Sequence, residues 1–294
     1  MSILKVENLT KKFGKFTALS DVNLEVQQGE VFGFIGPNGA GKTTTIRTIL
    51  GIYQATEGQV TIFGQDAWKD AVNIHKRIAY VPGDVSLWPN LTGGEVIDLF
   101  MNLRGGGEKA RRAEMIERFK LDPTKKCRTY SKGNRQKVAL IAAFCTDADL
   151  YIFDEPTSGL DPLMESVFHQ CVQEVKEQGK SVLLSSHILS EIEKLCDRVA
   201  IIREGKIIEN GTLDELRHLT RTNVKVKTRD KFDLVGTKGV YNVEESAGYI
   251  SFQVEANQLG KIIAYLANYK IIDLQSSPPS LEELFMTHYQ GGDE

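Results

Sequence analysis

An apolar run, Val31-Phe32-Gly33-Phe34-Ile35, enters the loop Gly36-Pro37-Asn38-Gly39-Ala40-Gly41-Lys42-Thr43, and residues 43–50 can continue as a helix up to Gly51. No other feature restricts the fold as tightly. A GxxxxGK(S/T) loop between a buried strand and a helix is the pattern of a phosphate-binding loop. Its glycines let backbone N–H groups turn inward around phosphate, and the helix presents its positive N-terminus to the same anion. Gly36, Pro37, Asn38, Gly39, Ala40, Gly41 and Thr44 are therefore expected to contact a nucleoside triphosphate. Lys42 would reach the β- and γ-phosphates, and the Thr43 hydroxyl would ligate Mg2+.

A second apolar run, Leu150-Tyr151-Ile152-Phe153, delivers two adjacent carboxylates, Asp154 and Glu155. Downstream of a phosphate loop, the first can hold Mg2+ through water and the second can polarise the attacking water. A third run, 181–185, follows a helical stretch at about 163–178 and leads to His187. This alternation implies a parallel sheet with helices on its faces, whose active groups gather at the carboxyl ends of the strands.

Around that core the pattern changes three times. Residues 3–9 and 18–26 alternate apolar and polar side chains and, joined by 60–63, read as an antiparallel β-subdomain. The stretch at about 84–145 reads as a helical subdomain. Residues 200–203 and 206–209 form a hairpin turning at Glu204-Gly205. Beyond Thr220, residues 224–228 and 250–254 look like strands, 259–269 like a helix, and 280–285 like a capped final helix. The fold class expected is α/β: a P-loop NTPase core with a parallel sheet, an N-terminal antiparallel β-subdomain and a helical subdomain, plus a small α+β C-terminal domain. The domains are 1–218, nucleotide-binding, and 219–294, accessory.

Composition narrows the functional classes. A net charge of −3 over 294 residues gives no basic excess of the kind a dedicated nucleic-acid binder carries, so no nucleic acid is expected as a partner. Cys127, Cys145, Cys171 and Cys196 are far apart and show no CxxC pairing, which fits reduced structural thiols. The N-terminal residues lack the apolar run of a signal peptide, and the longest apolar run, 138–144, is far below the ~20 residues that span a bilayer. If the protein moves something across a membrane, another chain supplies the path.

Pro156-Thr157-Ser158-Gly159-Leu160-Asp161 follows the acidic pair, and His187 ends the next strand. With these the chain resembles the ABC ATPase family over about residues 1–215. The resemblance implies that Phe13 stacks on adenine, that His187 contacts the γ-phosphate, and that Asp161 lies between two such domains. Taken alone, His187 reads as structural and Phe13 as core. The family's LSGGQ signature corresponds to Tyr130-Ser131-Lys132-Gly133-Asn134-Arg135-Gln136, in which Lys132 and Asn134 depart from the pattern. Ser131, Gly133 and the helix behind them could still bind the γ-phosphate of a nucleotide held by a partner domain. Where the family has a glutamine touching Mg2+, this chain has Gly83; Asp84, an oxygen donor one residue on, is the candidate substitute. Trp88 falls where the family docks a helix of its membrane subunit, though core packing would explain it equally well.

The loop variants and the C-terminal extension are similar to bacterial ABC ATPases that serve drug and antibiotic exporters. That resemblance implies an ATP- and Mg2+-dependent ATPase that pairs with a second nucleotide-binding domain, as homodimer or heterodimer. It would act with transmembrane permease subunits at the cytoplasmic face of the membrane. The rival reading is a soluble ABC ATPase acting on ribosomes or nucleic acid, which predicts two fused motors or long basic or coiled inserts. This chain has one phosphate loop and neither kind of insert.

Overall fold

A computed structural model describes residues 1–104, 106, 109–218, 221–234, 236–255 and 257–277. It divides into two compact units, Met1–Asn210 and Gly211–Glu294. In order, the chain forms β1 (Ser2–Phe13), β2 (Phe16–Gln27), β3 (Val31–Ile35), α1 (Lys42–Ile49), β4 (Glu57–Ile62), β5 (Gln65–Asp66), α2 (Ala71–His75), β6 (Ile78–Val81), α3 (Gly93–Leu103), α4 (Lys109–Arg118) and α5 (Lys132–Phe144). It continues through β7 (Leu150–Asp154), α6 (Pro162–Glu177), β8 (Ser181–Ser186), α7 (Leu189–Leu195), β9 (Arg198–Arg203) and β10 (Lys206–Thr212). Next come α8 (Leu213–His218), β11 (Thr222–Thr228), β12 (Val240–Ser246), β13 (Tyr249–Val254), α9 (Leu259–Ala267) and β14 (Ile271–Ser277). The division at 210/211 groups α8 with the second unit, whereas the 218/219 boundary expected from the sequence placed it with the first.

The first unit carries two sheets. One is antiparallel, ordered β2-β1-β4-β5, and the other has the order β10-β9-β3-β8-β7-β6. Its central strands pair in parallel, β9 with β3, β3 with β8, β8 with β7 and β7 with β6. Every residue of β3, β7 and β8 is buried, as a sheet covered on both faces requires, and that is why β3 and β7 read as apolar runs rather than alternating ones, while β8 buries Ser181, Ser185 and Ser186 beside Val182, Leu183 and Leu184. One core joins the two sheets: Phe32, Phe34, Ile46, Leu150, Ile152 and Leu183 meet Leu4, Leu9, Leu19 and Val26. Each large side chain buried there contributes about 1.5–3 kcal/mol.

Local chemistry sets the helix boundaries. Thr92 and Glu95 form a reciprocal capping box at the start of α3. Asp161 caps α6 through Met164 N at 3.0 Å, with Pro162 at the first helical position. At the turn between β9 and β10, Glu204 and Gly205 both have positive φ, 50° and 75°, as a two-residue hairpin loop requires.

In the second unit the sheet is antiparallel, ordered β12-β13-β11-β14. Ile262 and Leu266 of α9, one turn apart, pack with Val224, Val226, Phe252 and Val254. The final helix expected at 280–285 lies outside the described residues.

Candidate functional site

The carboxyl ends of β3, β7 and β8 converge on a cavity of about 510 Å3. The loop after β3 borders it through Pro37, Asn38, Gly39, Gly41, Lys42, Thr43 and Thr44. Gly41, at φ 114°, caps α1 with no side-chain bond, so first-turn N–H groups of that helix have no capping side chain and remain free for an anion. Gly36 and Ala40 are buried in the loop behind this wall.

Lys42 is 5% exposed, and its ammonium donates to the carbonyls of Gly36, at 2.5 Å, and Pro37, at 3.3 Å. It also lies 3.0 Å from Glu155 Oε1, an oxygen with no aligned hydrogen bond and so held by charge. The other carboxylate oxygen of Glu155 is hydrogen-bonded to His187 Nδ1. The acid is thus gripped from two sides by the lysine and the histidine.

Glu155 has a left-handed backbone, φ 52°, an uncommon state for a residue with a side chain and one that costs on the order of 1 kcal/mol. Its N–H is pinned to Ser185, 3.0 Å from the carbonyl and 3.2 Å from Oγ. The same Oγ donates to Asp154 Oδ1 at 2.6 Å, satisfying a carboxylate that is only 1% exposed. Behind the acidic pair, the amide of buried Gln136 on α5 donates to Pro156 O at 2.9 Å. Neither Ser185 nor Gln136 was singled out by sequence pattern. Both are ordinary polar residues whose position becomes informative only once β8 and α5 are packed on the acidic loop.

Asp84 and Gly83 border the cavity. A side chain at Gly83 would place Cβ 3.1 Å from Asp154 O, so the chain passes too close to the acidic strand for a longer residue to fit without movement. Tyr80 also faces the cavity, its phenol pushed up to about 12 by burial and then by the Asp154 charge.

Phe13 stands apart from this lining. Its ring packs edge-on against Tyr53, centroids 5.4 Å apart, and Lys11 Nζ sits 4.8 Å over it, so one ring face is already covered. Phe16, its cross-strand partner in the β1–β2 hairpin, is on the cavity wall instead.

Ser131, Gly133 and Asp161 also lie outside the lining. Ser131 caps α5 through Asn134 N at 3.3 Å, and Asp161 caps α6; both side chains are exposed. Gly133 has a packing role: a Cβ there would lie 2.3 Å from Gly159 O, so the signature loop and the loop after Glu155 touch backbone to backbone. Lys132 reaches the cavity and donates to Ser158 Oγ at 2.7 Å. Trp88 is half exposed and packs on Phe100 of α3, centroids 6.1 Å apart.

An ammonium at a phosphate loop, a hydroxyl and two carboxylates within one cavity, and an acid already ordered by two partners make a site for phosphoryl transfer to water. Among the described residues no group of three His, Cys, Asp or Glu converges as a metal site, and no helix is long and apolar enough to cross a membrane.

Comparison with known proteins gives the same direction. The ABC transporter family profile matches residues 19–158, and the profile of the C-terminal domain of DrrA1-3-like ATP-binding proteins matches 211–289. The bacitracin transport ATP-binding protein BcrA of Bacillus licheniformis is 32% identical, the alignment covering 99% of this chain and 98% of that protein. The linearmycin resistance ATP-binding protein LnrL of Bacillus subtilis is 30% identical, with 97% of each chain covered. Among solved structures, an ATP-binding subunit of an ABC transporter superposes with TM-score 0.69 at 33% identity, covering 74% of this chain and 92% of that one. A dimeric ATP-binding cassette in a post-hydrolysis state with ADP and Pi superposes with TM-score 0.66 at 26% identity, over 71% and 98%. The phosphate loop, the acidic strand end and these full-length relatives together establish that the chain belongs to the ABC transporter family as an ATP-binding, ATP-hydrolysing subunit.

Proposed function

We propose that two such domains, from two copies of this chain or from this chain and a second motor, close around two ATP molecules at the cytoplasmic face of a membrane. That closure drives export of a drug, antibiotic or similar amphiphile through separate permease subunits. The observation that carries the mechanism is the convergence of Lys42, Asp154, Glu155 and His187 on one cavity. The exporter assignment is supported by the names of relatives that match the chain from end to end.

In this reading the phosphate loop and the N-terminus of α1 hold the β- and γ-phosphates, with Lys42 neutralising the charge that develops on them. Glu155 orients the water for attack on the γ-phosphorus, and His187 contacts the γ-phosphate. Ser131 and Gly133, at the exposed start of α5, contact the nucleotide of the partner domain, with Asp161 at the junction. Thr43, Asp154 and Asp84 fit a Mg2+ that takes most of its remaining ligands from phosphate and water, because they present one hydroxyl and two carboxylates rather than a closed cage. The ion would offset phosphate charge. For adenine, Phe16 on the cavity wall offers a stacking face, with Phe13 its cross-strand neighbour. Half-exposed Trp88 suits a contact with the permease.

The test is purified protein carrying Glu155→Gln, sized by light scattering with and without Mg-ATP, beside wild-type hydrolysis. Doubling of mass with ATP, and hydrolysis that the substitution abolishes, would support the sandwich. A chain that hydrolyses ATP while staying monomeric at all concentrations would sink it.

A further inference from the structure

Among the described residues outside the nucleotide cavity, one buried acid accepts no hydrogen bond. Glu191 of α7 is 4% exposed, and neither of its carboxylate oxygens accepts a hydrogen bond. The nearest basic group is His169 of α6, whose Nε2, also without a partner, is 3.9 Å from Glu191 Oε1. That gap is about 1 Å too long for a hydrogen bond. A buried carboxylate with both oxygens unpaired is costly, so bringing a donor to it would be favoured by the bond formed.

The surrounding charges are engaged elsewhere. Lys176 of α6 pairs with Asp197 at 2.6 Å, and Arg198 of β9 faces Glu30 at 3.5 Å. The Cys196 thiol is pushed well above its ordinary range, by burial first and then by the charges of Glu191 and Asp197. Glu165, one turn before His169, and Glu193 are half-buried, and Lys194 is exposed.

The two helices begin at the two loops that border the reacting end of the site. Helix α6 starts just after its cap Asp161, the end of the loop after Glu155, and α7 starts two residues after His187. The inner face of α7 is seated on β3 at Gly33, where a Cβ would lie 2.9 Å from Ile192 Cγ2 and 3.0 Å from Cys196 Sγ. Between α7 and α6 the contact left open is the 3.9 Å separation of Glu191 and His169.

We propose that His169 and Glu191 are positioning residues for hydrolysis: as His187 engages the γ-phosphate, α7 shifts toward α6 and the pair closes into a charge-assisted hydrogen bond that holds His187 in place. Nε2–H of His169 donates and the Glu191 carboxylate accepts. The proposal rests on the reading of His187 as a nucleotide contact.

A double-mutant cycle in the full chain tests it, using Glu191→Leu, His169→Ala and both together. Steady-state ATP hydrolysis would be measured with kcat and KM separated, and thermal midpoints without added nucleotide. Each single change is expected to lower kcat about tenfold, the double change no further, with KM within about twofold. The thermal midpoint of Glu191→Leu should stay level or rise, because an unpaired buried charge has gone. His169→Gln, which keeps a donor, should retain more kcat than His169→Ala. Additive losses in kcat, wild-type kcat in Glu191→Leu and Glu191→Gln, or losses that track the thermal midpoint would each overturn the pairing. His187→Ala separates the two ideas: wild-type hydrolysis in that variant removes both, whereas an inactive variant beside an additive cycle removes the pairing alone.

Discussion

Lys42 and Glu155 are ion-paired, Nζ to Oε1 at 3.0 Å, so the ammonium suited to phosphate is held by the carboxylate suited to water. Incoming phosphate must compete with an internal anion for the same cation. Neutralising that anion removes the competitor, so Glu155→Gln should bind ATP several-fold more tightly than wild type while hydrolysing it at least a hundredfold more slowly. Fluorescent-nucleotide titration and single-turnover hydrolysis, measured on the same preparation, check the two halves separately. Unchanged or weaker affinity would mean that the pair does not restrain the lysine.

Asp84 tests whether a neighbouring carboxylate does the work of the absent glutamine. Asp84→Ala should raise the Mg2+ concentration needed for half-maximal hydrolysis several-fold, leaving the thermal midpoint unchanged because the side chain faces the cavity. A magnesium titration of the ATPase rate reads this directly.

Gln136 binds the Pro156 carbonyl where both are out of water. Gln136→Leu leaves that carbonyl unpaired, at a cost of about 1–3 kcal/mol, and frees the loop that carries Glu155. Both urea midpoint and kcat should fall, with kcat measured well below the melting temperature so that unfolding does not mimic the effect.

Gly133→Ala would force a methyl group to within 2.3 Å of the Gly159 carbonyl, so the two loops must part. Hydrolysis should be lost while nucleotide binding to the isolated chain persists, since Gly133 is outside the cavity lining. Equilibrium dialysis beside a phosphate-release assay distinguishes the two.

Buried thiols, Cys171 and Cys145 among them, give the protein an alkaline limit. Burial pushes Cys171 up to about 12 and Cys145 up to about 11 from an ordinary value of 9.0. Because the unfolded chain ionises first, the stability these thiols contribute is whole below pH 9 and drains away as pH rises towards the folded values, by a few kcal/mol in all. Urea unfolding between pH 8 and 11 should show this slope, and Cys171→Ala should flatten it even if it starts from a lower stability.

Much of this was written in the sequence, for identifiable reasons. The strands that frame the cavity are buried throughout because both faces are covered, so β3 and β7 read as apolar runs, and the three strands lead to residues of distinctive chemistry, Gly36, Asp154 and His187. The weaker elements left no such mark. β6 has four residues, and β12 and β14 carry few buried side chains, so period and length were too short to separate them from loop. That Phe16 rather than Phe13 reaches the cavity goes with the packing of Phe13 on Tyr53, a residue from a distant part of the chain. The grip of Gln136 on Pro156 and of Ser185 on Asp154 is likewise tertiary, and no spacing in the sequence encodes it.

The position of β8 between β3 and β7 has a consequence for how the protein comes into being. The two strands that carry phosphate loop and acid do not touch; each pairs with a third that is synthesised after both. A growing chain that has emerged only as far as residue 180 holds every phosphate-loop and carboxylate residue, yet lacks the wedge that sets their spacing. Assembly of the catalytic centre therefore waits on contacts between residues more than a hundred positions apart, with the loop-closure entropy and slow formation that such pairings carry. Nucleotide is a ligand of the nearly finished domain, able to reward the last step of folding but not to nucleate the first.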